Sequence, residues 1–189
     1  MPINEKKETL ESLSRKVSLC RGCSLCETRS HTVFGRGGEN PKVLFVGEAP
    51  GEQEDLSGLP FVGAAGKLLD LYLEYAGLEE EDYYIANILK CRPPKNRDPL
   101  PEEEDACIPY LQRQVALLSP KILVCLGRVA AKRILSPDFR ITRQRGIWYE
   151  KAGVKIMATY HPSALLRDPG KKEEALLDFK EIRKELDKL

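Results

Sequence analysis

The chain has 189 residues, 42% of them hydrophobic and 31% charged, with a formal net charge of +1. That length is enough to bury a core of its own, so a single domain over residues 1–189 is expected. No apolar run is long enough to cross a bilayer, and the charged opening Met1-Pro2-Ile3-Asn4-Glu5-Lys6-Lys7 lacks the apolar stretch of a secretory signal, so a cytoplasmic protein with reduced cysteines is expected.

Apolar positions at Leu10, Leu13 and Val17 give residues 5–18 a helical period, and Cys20-Arg21-Gly22-Cys23-Ser24-Leu25-Cys26 then turns the chain. The run Lys42-Val43-Leu44-Phe45-Val46 reads as a fully buried strand that ends in the tight turn Gly47-Glu48-Ala49-Pro50-Gly51. A helix is predicted from Gly63 to Gly77, where the glycine suits a C-cap. A second strand near 83–89 runs into the proline-rich loop Arg92-Pro93-Pro94-Lys95-Asn96-Arg97-Asp98-Pro99. The helix predicted from Pro101 to Leu118 opens on proline and acids, as the helix dipole prefers. Ile122–Leu126 is a third strand, Arg128–Leu135 a short helix, and 140–160 an irregular basic segment leading into a last strand. Residues 171–188 close the chain as an amphipathic helix.

Strands alternating with helices predict a three-layer α/β/α fold around a central four-stranded parallel sheet. In such a sheet the carboxyl ends of the strands share one rim, and ligands sit there. Here that rim would gather Gly47, Asn87, Gly127-Arg128 and His161-Pro162-Ser163. Between Lys121 and Lys155 there are nine Lys or Arg but two acids, an asymmetry suited to binding phosphates.

Cys20-x-x-Cys23 is a metal-ligand spacing in a helix-breaking turn. Cys125 lies within an apolar strand and reads as a buried structural thiol, whereas Cys91 and Cys107 flank the proline-rich loop. Cys20, Cys23, Cys91 and Cys107 are therefore the expected ligand set, with Cys26 able to displace one of them. Four thiolates suit a structural zinc or an iron–sulfur cluster, and spacing alone does not separate the two.

The motifs Gly47-Glu48-Ala49-Pro50-Gly51, Phe61-Val62-Gly63, Asn87-Ile88-Leu89-Lys90-Cys91-Arg92-Pro93-Pro94 and His161-Pro162-Ser163, in this order, closely resemble those of the family-four uracil-DNA glycosylases. The resemblance runs from about Cys20 to Arg167. It implies hydrolysis of the N-glycosidic bond of deoxyuridine in DNA, leaving an abasic site, and a [4Fe-4S] cluster on the four cysteines named above. Its substrate would be uracil-containing DNA, and a monomer is expected, since nothing in the sequence indicates an obligate oligomer and a monomer suits an enzyme that scans DNA.

The residues make chemical sense for that work. A base must leave the duplex to be reached, and Phe61 supplies the face on which it stacks. Asn87 offers an acceptor and a donor to the uracil edge, a pattern that cytosine opposes. Gly47, Glu48 and Ala49 line the same pocket, and His161 is placed to stabilise charge developing on the departing base. Leu165 or Leu166 reads as an apolar wedge on an exposed loop, with Ser163, Arg167 and the basic stretch around Arg140, Arg143 and Arg145 holding phosphates. Many members of the wider superfamily carry a water-activating aspartate where Ala49 stands; Glu54 is the expected substitute and Glu48 is expected to fix the turn. Two rivals are a glycosylase acting on other deaminated bases and a non-catalytic module with the same fold. A P-loop hydrolase is excluded, since Leu68 stands where the hydroxyl residue after Gly66-Lys67 is needed.

Overall fold

The computed structural model describes residues 8–189; the first residues of the predicted 5–18 helix lie outside them. Helix α1 (Leu10–Ser18) begins where Thr9 and Ser12 cap each other's backbone N–H reciprocally, and it buries Leu13 and Val17. The strands are β1 (Arg36–Gly37), β2 (Val43–Gly47), β3 (Tyr83–Asn87), β4 (Ile122–Leu126), β5 (Tyr149–Lys151) and β6 (Val154–Thr159). They form one sheet in the order β1-β3-β2-β4-β6-β5.

The four inner strands are parallel, as the apolar runs predict, but the sheet has six strands rather than four. The added edges, β1 and β5, are antiparallel and too short to leave an apolar pattern. β5 joins β6 through Ala152-Gly153, both at positive φ (51° and 77°), the geometry of a two-residue hairpin turn. Alanine rather than asparagine at the first turn position hides that hairpin in the sequence.

Alternation along β2 separates two cores. Val43 and Phe45 face α3 (Ala64–Tyr75) and α8 (Lys172–Leu186), with Phe45 stacked on Phe179 at 5.8 Å between ring centres. Leu44 and Val46 face the layer of α4 (Pro101–Leu118) and α5 (Arg128–Ile134), meeting Leu111, Leu118 and Ala130. Three further helices sit at the rim: α2 (Glu52–Ser57), α6 (Ile141–Gln144) and α7 (Pro162–Arg167). The sequence reading leaves α2 and α7 as loops, because six residues are too few to display a helical period. No helix of the described residues is long and apolar enough to cross a membrane.

Candidate active site

β2 and β3 run in parallel register with Gly47 opposite Asn87, so both strands end level. β4 and β6 end beside them, and the amide of Gly127 donates to the Thr159 carbonyl at 2.8 Å. All four carboxyl ends therefore open into one cavity of about 510 Å³, walled by Glu48, Ala49, Phe61, Asn87, Arg128 and His161 among others.

Close packing at this rim rests on glycine. A Cβ on Gly47 would lie 2.3 Å from Asn87 Oδ1 and 2.8 Å from Phe61 Cζ; a Cβ on Gly66 would lie 1.9 Å from the Phe61 carbonyl oxygen. Phe61 itself holds φ +53°, a left-handed conformation costly for an aromatic residue. Glu54 helps to impose it: one carboxylate oxygen accepts the amides of Val62 and Gly63, each at 2.9 Å. The Phe61 ring is thereby fixed 5.6 Å from the His161 ring.

Asn87 is 2% exposed, and its side-chain oxygen has no hydrogen-bond partner within the protein. An orphaned buried acceptor is costly, and it marks a position where a ligand supplies the donor. His161 accepts at Nδ1 from the Ser163 amide (3.1 Å) and meets the Ser163 hydroxyl there at 2.8 Å. With Nδ1 accepting, the proton of the neutral ring sits on Nε2, which leaves a donor there. Burial, aided by the charge of Arg167, pushes the His161 pKa down to about 4, so the ring is neutral at physiological pH. It caps α7 as well, so its capping and pocket positions are compatible.

Glu48 behaves differently from Glu54. Burial first, and then the charge of Asp98, raise its pKa to about 7. Across the mouth, Asp98 pairs at 2.6 Å with Arg128, which the sequence places on this rim; Asp98 was not singled out from the sequence, nor was Tyr160, which also lines the cavity.

Of the expected DNA contacts, Ser163 and Arg167 lie on the cavity wall and Leu166 is 44% exposed. Leu165 is corrected: it is fully buried in the core, because 162–167 is a helix that turns this side chain inward. Arg145 is corrected too, since it pairs with Asp178 (3.1 Å) and Glu174 and is committed inside the fold. Arg140 and Arg143 remain exposed.

Cys20, Cys23, Cys26, Cys91 and Cys107 line a second, smaller cavity, while Cys125 is buried in β4 away from it. Among the described residues no three Cys, His, Asp or Glu side chains are close enough to hold a single metal ion. The cysteine nest is nonetheless rich in donors to sulfur. Arg29 Nη1 reaches Cys91 Sγ at 3.1 Å, the Lys90 amide Cys107 Sγ at 3.2 Å, and the Gly22 amide Cys20 Sγ at 3.3 Å. Burial raises the thiols of Cys23, Cys91 and Cys107, the last to about 11, so thiolates there call for a cationic centre to compensate them. Donor set and surroundings fit a thiolate-ligated metal group.

A rim cavity with an orphaned amide, an aromatic face and a neutral imidazole defines an α/β protein built to hold a flat polar ring. Comparison with known proteins sharpens this: the profile of the Uracil DNA glycosylase superfamily matches residues 34–186, and the chain belongs to that superfamily. It is 49% identical to the Type-4 uracil-DNA glycosylase of Archaeoglobus fulgidus, over 93% of this chain and 92% of that protein. It is 45% identical to the Type-4 enzyme of Sulfurisphaera tokodaii (93% and 84% covered) and 42% to that of Thermotoga maritima (86% of each). A Type-5 uracil-DNA glycosylase of Pyrobaculum aerophilum is 31% identical over 71% of this chain and 59% of its own length.

Proposed function

We propose that this chain is a type-4 uracil-DNA glycosylase, which takes deoxyuridine out of the DNA stack and hydrolyses its N-glycosidic bond. The observation that carries the reading is the unpartnered, buried Oδ1 of Asn87, set against the Phe61 ring in the rim cavity. Uracil N3–H supplies the missing donor and its O4 accepts from the same amide; cytosine presents the reverse pattern and is refused. The Phe61 ring replaces the stacking that the base loses on leaving the helix.

His161 presents Nε2–H toward O2 of the departing base. A donor aimed where negative charge develops acts more strongly on the transition state than on the substrate. Being neutral, the ring stabilises the uracil anion by hydrogen bonding while keeping its own Nε2 proton. Glu48, held near a pKa of about 7, has the balance wanted of a group that orients and deprotonates water. Glu54, with an oxygen already shared by two backbone amides, holds the Phe61 loop; this assigns water to Glu48 rather than to the Glu54 expected from sequence. Leu166 is the wedge that fills the vacated stack, and Ser163, Arg167, Arg140 and Arg143 face phosphates.

Cys20, Cys23, Cys91 and Cys107 are the residues that would hold a [4Fe-4S] cluster. Bound there it supplies a cross-link and a positive centre for buried thiolates. Cys91 and Cys107 bracket the segment containing Pro93, Asn96 and Asp98, all on the cavity wall, so ligation of both cysteines would fix that segment at both ends.

The test is cleavage of end-labelled oligonucleotides carrying one U, C, T or hypoxanthine, with alkali to reveal abasic sites. Cutting at U alone, lost in Asn87→Ala, is the expected result. Equal cutting at hypoxanthine would favour the broader-specificity reading, and DNA binding without cutting the non-catalytic one.

A further inference from the structure

Lysine is rarely buried completely, because its ammonium loses hydration that few sites replace. Lys90 is 1% exposed. Its ammonium is held by main-chain carbonyls: it donates to Asn87 O at 2.8 Å, approaches Phe34 O at 3.4 Å, and lies 5.9 Å from the centre of the Phe34 ring. The first partner is the carbonyl of the residue whose side-chain amide is the orphaned acceptor of the rim cavity. At its other end, the Lys90 amide donates to Cys107 Sγ, and the next residue in the chain is Cys91.

β3 ends at Asn87, and the amides of Ile88 and Leu89 donate hydrogen bonds to the carbonyls of Gly47 and Glu48 at the end of β2. Beyond them the chain leaves the sheet for the cysteines. The Asn87 carbonyl thus lies at the last rung of the ladder, where the Lys90 ammonium reaches it across three residues. Phe34, the other carbonyl, also accepts from Gln114 on α4, so the ammonium links the strand end, the segment before β1 and the helix that carries Cys107.

We propose that Lys90 is a positioning residue that ties the base-reading amide of Asn87 to the cysteine nest, so recognition of the base depends on that nest. The inference rests on the assignment of the rim cavity to uracil. Removing the ammonium leaves a buried carbonyl without its donor and the Asn87–Ile88 peptide pinned on one side only, by the Ile88 amide on the Gly47 carbonyl, so that it can tilt. A tilted peptide misdirects the amide, and base affinity falls while the wall that meets phosphates stays in place.

The experiment uses the purified coloured holoprotein and its Lys90→Met variant, which keeps side-chain length and loses the donors. Three quantities are read: the inhibition constant of free uracil, affinity for an oligonucleotide containing an abasic-site analogue, and the visible absorption of the cluster. The expected result is a loss of roughly tenfold in uracil affinity, with absorption per protein unchanged and abasic-DNA affinity within about twofold of the parent. That tenfold corresponds to about 1.4 kcal/mol. Uracil inhibition unchanged in the coloured variant overturns the proposal, and so does a parallel loss of uracil and abasic-DNA affinity, which is general loosening. Should Lys90→Met fail to fold or to take up iron, Lys90→Gln, which keeps a donor of shorter reach, is judged by the same criteria. Asn87→Ala is measured alongside: if it leaves uracil inhibition unchanged, the cavity assignment fails, whereas a loss there without one in Lys90→Met removes only the coupling.

Discussion

Gly47→Ala adds one methyl group at the point where two recognition side chains meet. The new Cβ would stand 2.3 Å from Asn87 Oδ1 and 2.8 Å from Phe61 Cζ, against ordinary contacts of 3.4 Å or more. Either the amide retreats by roughly 1.1 Å or β2 shifts away from β3 by a similar amount. The strand cannot shift freely, since β2 is hydrogen-bonded on both sides and every residue in it is buried. The side chains give way instead, at an overpacking cost of about 1–3 kcal/mol. A misplacement of about 1 Å in a positioned group costs on the order of a hundredfold in rate, or about 2.7 kcal/mol of transition-state stabilisation.

The assay is kcat/KM for release of uracil from a U-containing oligonucleotide, with thermal unfolding measured on the same preparation. We expect kcat/KM to fall about a hundredfold while the unfolding temperature drops by only a few degrees. Activity within threefold of the parent would refute the reasoning, because it would mean that the amide and ring can move aside without loss of recognition. A drop in stability alone, with kcat/KM preserved in the folded fraction, would refute it equally.

Leu165→Ala should destabilise the fold by about 2–5 kcal/mol, as loss of a fully buried leucine does, whereas Leu166→Ala should leave the unfolding temperature unchanged and weaken binding to U-containing duplex. Glu48 predicts a rise of kcat/KM through a pH of about 7 to a plateau above it, a limb that Glu48→Gln removes. Because the folded pKa of His161 is depressed to about 4, its neutral form contributes stability that is full above its ordinary pKa and fades as pH falls toward 4. Chemical denaturation at a series of pH values should show that slope, and His161→Ala should flatten it.

What could be read in the sequence follows from how the physics writes itself into residues. The inner strands are buried on both faces, so they appear as unbroken apolar runs, and their ends locate the cavity without any side-chain detail. Gly47, Asn87 and His161 could be found because each is the last residue of such a run or lies just beyond it. What could not be read depends on direction rather than composition. Leu165 and Leu166 are neighbours of one type, and only the turn of a six-residue helix, begun by Pro162, decides which one enters the core. Arg145 and Lys90 look like surface charges in the sequence; Arg145 is half-buried against carboxylates distant in the chain, and Lys90 is fully buried against the carbonyls of Asn87 and Phe34. Glu54 has the chemistry of a base, but the amides of Val62 and Gly63, which bind it, are invisible until the loop closes.

The absence of a carboxylate at Ala49 is answered one residue earlier. A side chain at 49 and one at 48 leave the chain in different directions, yet both residues line the cavity. Glu48, lying between the Arg128–Asp98 pair and the strand end, is buried enough to be raised to about 7 yet close enough to cations to ionise there. A carboxylate so placed holds a proton more strongly than an exposed one and is a better acceptor of a proton from water. On the proposed reading the larger part of the barrier falls to groups that require no titration: a neutral imidazole with its donor on Nε2, an amide whose acceptor is already desolvated, and a ring held at positive φ. Losing one well-placed donor to a developing anion costs on the order of 3–4 kcal/mol, and a neutral imidazole offers that donor at any pH well above 4, whereas a carboxylate with a pKa of about 7 acts in full as a base only above that pH. On these grounds His161→Ala should slow uracil release more than Glu48→Gln between pH 5 and 7, a ranking that single-turnover rates on one substrate can check.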